Sequence, residues 1–317
     1  MAQVRVSTER KRLLLPLLLL LVWAAPAGAD SPKTDSRPPG AAVSSAVPGA
    51  AGLEVPWTST WDEAVETARQ IPDGRILVYF GDEECGACRR MEAIIVPSTS
   101  FWAFTRDKVP LYLKLGSAEG RTLSAKLRIR EAPAWVVVTP DLVVCGVQAG
   151  STSQLGWVEA FTRAEASWVA YRRLLEKEKE NPGDVRTVFD VARETFRRGG
   201  DRIAEPRFQR IANDDRAPAE LREPSLAFLA TIELDAGRPD RADVYLDRLL
   251  ATATDPVLKQ RAQLRKADIE ISRGRRDLAA GRLESFKKDW PGSPLVAEAE
   301  ALLEALRSAP KPAEPIR

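Results

Sequence analysis

The stretch "GDEECGACRRME", Gly81 to Glu92, carries two of the chain's three cysteines, Cys85 and Cys88. It directly follows "ILVYF", Ile76 to Phe80, a continuous apolar run of strand length bounded by turn residues. That pattern suits a strand buried on both faces. From Cys85 the residues become helical in type, with Met91, Ile94 and Ile95 on one side, until Pro97 interrupts. Two cysteines separated by two residues at such a junction have three readings: a static disulfide, half of a metal site, or a reactive dithiol.

Composition narrows the choice. The chain has 317 residues, enough for about two domains at the usual ~150 residues each. It contains no histidine, which removes Ser-His-Asp and Cys-His nucleophile schemes and imidazole as a metal ligand. Three cysteines do not complete a four-thiolate zinc site, so neither a metal nor another cofactor is expected. A two-residue-spaced disulfide closes a short loop and gains little from restricting the unfolded chain, which weakens the static reading.

Residues 1–29 read as a signal peptide. Arg5, Arg10, Lys11 and Arg12 form a basic region, Leu13 to Ala25 an apolar core, and Ala27-Gly28-Ala29 a small-x-small cleavage site. The apolar core contains Pro16 and falls short of the ~20 residues of a membrane span, so no stable membrane insertion is expected after cleavage. The formal charge is +2, and a leader with four basic residues and one acidic residue accounts for all of it, leaving the remainder near −1. Nothing in that balance calls for a nucleic-acid partner. The chain is expected to be exported, to the periplasm or else to the extracellular space, where disulfide chemistry is available.

Residues 30–55 are rich in Pro, Ala, Ser and Gly and read as a disordered linker. Thr60 and Glu63 form a capping box ahead of a helix with Trp61, Ala64, Val65 and Ala68 on one face. After the strand and helix around the cysteines, strands are expected at Val109–Leu115, Pro133–Thr139 and Leu142–Gln148. A short helix is expected at Thr122–Leu127 and a longer one at Gln154–Tyr171. After the leading helix, the order β-α-β-α-β-β-α implies a compact α/β domain with a mixed sheet, over residues 56–172. Trp57, Trp61, Trp102, Trp135 and Trp157 read as core aromatics, and Cys145 as a buried, inert thiol. Residues 173–182 read as a charged helical linker.

Residues 183–307 read as helices only, with an internal repeat. Ala192, Gly199, Ala204 and Phe208 recur as Ala230, Gly237, Ala242 and Leu246, then as Ala267, Gly274, Ala279 and Leu283. Small residues at these offsets let paired helices approach closely, and each glycine closes the first helix of its pair. Leu295–Leu306 would cap the array, and residues 308–317 read as a disordered tail. The pattern resembles tetratricopeptide (TPR) repeats, although its glycine spacing exceeds the usual ~34 and the aromatic consensus positions are mostly aliphatic or polar. Such an array implies a protein ligand.

A dithiol at a helix start has a chemical rationale. Unpaired backbone N–H groups and the helix dipole favour an anion there, hence a thiolate at Cys85, while Cys88, nearly one turn on, is placed to resolve a mixed disulfide. Gly86 and Ala87 are small and let a partner's backbone approach. "ILVYFGDEECGACRRME", followed about forty residues later by "REAPAWVVV", resembles the thioredoxin family. The likeness is to exported thioredoxin-like domains in which C-x-x-C is followed by a basic residue and then Met-Glu. It implies a thioredoxin-like fold, Cys85 as nucleophile and Cys88 as resolving thiol. It also implies a cis peptide at Pro133 and a substrate-docking edge at Ala132-Pro133.

Several positions depart from the family. Glu84 stands where many members have Trp, Ala87 where thioredoxins have Pro, and Tyr79 where thioredoxin has its buried acid. Asp82, Glu83 and Glu84 oppose a thiolate at Cys85, while Arg89 and Arg90 favour one. Two functions compete: an exported thiol–disulfide oxidoreductase acting on protein or small-thiol substrates, and a redox-inactive thioredoxin-like/TPR scaffold whose CxxC is a structural disulfide. Both cysteines stand at the required spacing after the required strand, which favours the enzyme, with a reductant or isomerase-like role ahead of a potent oxidant.

Overall fold

The computed structural model describes residues 55–308, so the leader, its cleavage site and nearly all of the Pro/Ala/Ser-rich segment lie outside the described residues, as do residues 309–317. Residues 55–263 belong to one compact unit and residues 264–308 to a second.

The first unit is built on a four-stranded sheet of order β2-β1-β3-β4, comprising β1 (Arg75–Gly81), β2 (Lys108–Lys114), β3 (Ala134–Val138) and β4 (Val144–Ala149). β1 runs parallel to β2 and antiparallel to β3, and β3 pairs antiparallel with β4. The reason lies in β1 and β3, where no residue is exposed on either face. Alternation sends Leu77, Tyr79, Trp135 and Val137 into one core and Ile76, Val78, Phe80, Ala134 and Val136 into the other. Each core needs its own cover.

Ala64 and Ala68 of α1 (Trp61–Arg69) and Leu123 of α4 (Ala118–Lys126) close one face. Met91 and Ile95 of α2 (Gly86–Ile95), Phe101 of α3 (Thr99–Thr105) and Trp157 and Phe161 of α5 (Gln154–Glu180) close the other.

Three elements differ from the sequence reading. α3 was not foreseen: Pro97 ends α2, but Ser98 accepts a hydrogen bond from Phe101 N–H and starts a short helix at once. α4 begins four residues earlier than expected, capped by Ser117. The charged run expected as a linker is the continuation of α5, a single helix of 27 residues. No glycine or proline follows Gly156 of its first turn, and Glu178 near its end accepts two hydrogen bonds from Arg207 of α7 (Asp201–Ala212).

The helical region repeats as hairpins. α6 (Val185–Arg197), α8 (Ala219–Asp235) and α10 (Pro256–Ser272) each end before a left-handed glycine, Gly199, Gly237 and Gly274, with φ of 77°, 71° and 74°. α7, α9 (Pro239–Thr252) and α11 (Arg276–Asp289) follow. The next N–H reaches back to the carbonyl five residues earlier: Gly200 to Thr195, Arg238 to Glu233 and Arg275 to Glu270, at 2.8–3.0 Å. This is the Schellman closure that a positive φ allows. The six repeat alanines are all buried. In the second unit, Ala267, Ala279, Leu283 and Phe286 pack with Ala299 and Leu303 of α12 (Val296–Ser308).

The first hairpin is fused to the sheet through Arg198, which is only 8% exposed. Its guanidinium donates to the carbonyls of Val144 and Ser167, to the Ser167 hydroxyl and to Glu194, and lies over Tyr171 at 5.0 Å. Its carbonyl accepts from Val144 N–H, closing the β4 edge there. Replacing Arg198 by Met removes four side-chain hydrogen bonds and leaves buried acceptors unpaired. The expected cost is about 2–3 kcal/mol, read as a lower urea midpoint by circular dichroism; an unshifted midpoint would count against this role.

Candidate active site

The site forms where β1 gives way to α2. Gly81 is the last residue of β1, where a β-carbon would lie 3.0 Å from the rings of both Tyr112 and Tyr79. A turn follows, in which Glu84 N–H donates to the Asp82 carboxylate and Cys85 N–H to the Asp82 carbonyl. Cys85 is the N-cap of α2, with extended backbone (φ −79°, ψ 102°), and its sulfur accepts from Cys88 N–H at 3.0 Å. Sulfur thus takes the place of the usual capping oxygen, with a helix amide pointing at it.

Cys85 and Cys88 form a disulfide with their Cα atoms 5.2 Å apart. Cys85 is half-buried and Cys88 fully buried, so only the first sulfur faces outward. Gly86 and Ala87, in the first turn of α2, are half-exposed. Ala132 comes from the loop before β3, and its carbonyl oxygen lies 4.0 Å from Cys85 Sγ. The Ala132–Pro133 peptide is cis, Pro133 is buried, and its carbonyl accepts from Gly150 N–H. All six residues singled out in the sequence therefore lie in or against one strand-to-helix junction.

The three acidic residues before Cys85 do not act alike. Glu83 pairs with Lys114 at 2.6 Å, and Asp82 is engaged by Glu84 N–H, while Arg89 turns back to donate to the Glu83 carbonyl. Much of the charge expected to oppose a thiolate is therefore occupied locally.

One ionisable residue had no role in the sequence reading. Glu92 lies one helical turn beyond Cys88, on the same face of α2, close enough to the Tyr79 hydroxyl for each group to shift the other's ionisation. That hydroxyl also lies 3.4 Å from the Cys88 carbonyl. Burial pushes the Glu92 carboxyl above its usual range, against the opposing effects of Tyr79 and Arg89. Burial likewise raises the Tyr79 phenol, and it raises Tyr112 to about 12. Position 79 is thus a buried tyrosine whose hydroxyl donates to the backbone of the neighbouring helix, beside the Glu92 carboxyl. The i, i+4 spacing of Cys88 and Glu92 was the one signal available in the sequence.

Cys145 is a free thiol in β4, 4% exposed, and burial pushes it up to about 12. Among the described residues no group of three or more His, Cys, Asp or Glu side chains is placed to hold a metal ion, and no helix is long and apolar enough to cross a membrane.

No protein-family model matches the chain, and no curated protein matches it. Among solved structures it is similar to a solution structure of a thioredoxin from Thermus thermophilus. The two share 18% identity over 34% of this chain and 85% of that one, with a TM-score of 0.30.

Two outcomes check this geometry. Because the folded chain raises the Glu92 carboxyl, the protonated form favours folding; its contribution is full below the usual value of 4.5 and is lost as pH rises through the folded value. Glu92→Gln, which stays neutral, should therefore be more stable than wild type at pH 7, with the gap closing as pH falls below 4.5 in urea titrations. In the reduced native protein, iodoacetamide should alkylate Cys85 at least about tenfold faster than Cys145, which becomes reactive only on unfolding.

Proposed function

We propose that the chain is an exported thiol–disulfide oxidoreductase of the thioredoxin type. The observation that carries this reading is the asymmetry of the pair: Cys85 outward at the start of α2, Cys88 enclosed behind it and within bonding distance. A disulfide used only as a staple has no need of one sulfur open to a partner. In the reducing direction, the Cys85 thiolate attacks one sulfur of a client disulfide. The client S–S bond breaks, one client thiolate leaves and takes a proton from solvent, and a mixed disulfide remains. Cys88 gives up its proton and attacks Cys85 Sγ, releasing the second client thiolate and forming the Cys85–Cys88 disulfide. Two electrons pass from the dithiol to the client.

Gly86 and Ala87 leave room for the client backbone, and the Ala132 carbonyl beside Cys85 offers it an acceptor. Glu92 with Tyr79 supplies an ionisable group on the Cys88 side of the junction, where the resolving step sheds its proton. The basic and apolar leader and its small-x-small site support export to an oxidising compartment, the periplasm first. The repeated hairpins, with their buried alanines and left-handed glycines, support a TPR-like array that docks a protein ligand.

The competing reading is a scaffold with a static disulfide, favoured by the absence of a carboxylate at Tyr79 and of Trp at Glu84. Trapping separates the two. Cys88→Ser should accumulate mixed disulfides through Cys85 that dithiothreitol releases, and Cys85→Ser should accumulate none. Wild type should reduce insulin or glutathione-type disulfides, and either substitution should lower that rate at least about 100-fold. A pair that stays oxidised under strong reductant, with no trapped species, identifies the scaffold.

A further inference from the structure

The sharpest feature unused by that reading lies just beyond the disulfide. Arg89 and Arg90 follow Cys88 directly, and both side chains are exposed. Both fold back toward the first turn of α2: a β-carbon placed on Gly86 would lie 3.6 Å from Arg90 Nη1 and 3.9 Å from Arg89 Nη2. Two guanidinium groups therefore converge on the residue next to the outward sulfur. Arg89 donates to the Glu83 carbonyl, and among the described residues neither arginine forms an ion pair. Of the nearby carboxylates, Glu83 is held by Lys114, Asp82 accepts from Glu84 N–H, and Glu92, which Arg89 influences electrostatically, is half-buried.

The geometry points to Arg89 and Arg90 as specificity-determining residues that select disulfides carrying an anionic group beside the reacting sulfur. The inference rests on the oxidoreductase reading. Gly86 has no side chain to stand between these guanidiniums and a substrate drawn against Cys85. Glu84 precedes Cys85 and Glu131 precedes Ala132, both exposed, so the remaining negative charge lies on the segments leading into the two sides of the site. A disulfide with a carboxylate near its sulfur meets attraction at the Gly86 end and repulsion elsewhere, which fixes its orientation. The chemistry is unchanged: Cys85 attacks the sulfur, the S–S bond breaks, the departing thiolate takes a proton from solvent, and Cys88 closes the intramolecular disulfide. Dithiothreitol returns the enzyme to the dithiol.

Three small disulfides test this: oxidised glutathione, which is anionic; cystamine, which is dicationic; and 2-hydroxyethyl disulfide, which is neutral. The reduced mature protein is mixed with each at low ionic strength and the second-order rate is measured. Wild type should prefer glutathione disulfide to cystamine after each rate is divided by that of the same disulfide with free dithiothreitol. The double variant Arg89→Gln/Arg90→Gln should lose that preference by about fivefold or more, as expected for two surface charges acting at short range. Salt at about 0.5 M should shrink the wild-type preference in the same direction. Any effect of the arginines on the Cys85 thiolate touches all three disulfides alike and cancels in the ratio. A preference that is absent in wild type, or unchanged in the variant, overturns the inference and leaves the oxidoreductase reading standing. No reaction with any of the three, the neutral one included, overturns both.

Discussion

The first turn of an α-helix has backbone N–H groups with no carbonyl to receive them, and in this chain a sulfur atom takes one. Cys85 caps α2, and the amide of Cys88 points at its sulfur. The helix can begin there only because β1 ends at a glycine wedged between two tyrosine rings and the following turn is tied by Asp82. β1 can stand there only because both of its faces are covered. The position of one sulfur thus depends on two hydrophobic cores, and the candidate chemistry rests on the sheet.

The site is also defined by charge distribution. A run of three acidic residues before the cysteine would by itself disfavour an anion. Lys114, reached across the β1–β2 pairing, and the backbone N–H of Glu84 occupy two of them. On the inner side, burial raises both the Tyr79 phenol of the strand and the Glu92 carboxyl of the helix. Burial holds the Glu92 carboxyl toward its protonated form, so it can carry a proton at a pH where an exposed glutamate would not.

The helical region shows how a repeat is adapted where it meets another layer. In the second and third hairpins a buried glutamate, Glu233 or Glu270, pairs with the arginine after the left-handed glycine, Arg238 or Arg275. In the first hairpin these positions are Thr195 and Gly200. Thr195 instead hydrogen-bonds Tyr171 of α5 at 2.7 Å, and a β-carbon on Gly200 would lie 2.9 Å from Val143, just before β4. The ion pair of this hairpin is formed instead by Glu194 and Arg198. Arg198 also donates to the Val144 and Ser167 carbonyls and to the Ser167 hydroxyl.

What the sequence alone determined is whatever local periodicity and turn chemistry encode. The all-apolar run of β1, the cysteine spacing at a strand-to-helix junction, the Thr60 cap, and the glycine and alanine offsets of the hairpins are all properties of short windows. The structure bears out the mixed sheet with its flanking helices and the helical C-terminal region at that level. The tertiary structure decided what depends on distant partners. It joined α5 through the charged run, because Glu178 meets Arg207 29 residues on. It brought Ala132 to Cys85 across 47 residues. It turned Glu92 from a surface glutamate into a half-buried carboxyl whose ionisation burial disfavours. It folded two arginines back over Gly86. A side chain's charge state and company follow from what surrounds it in space, and no window of sequence contains those neighbours.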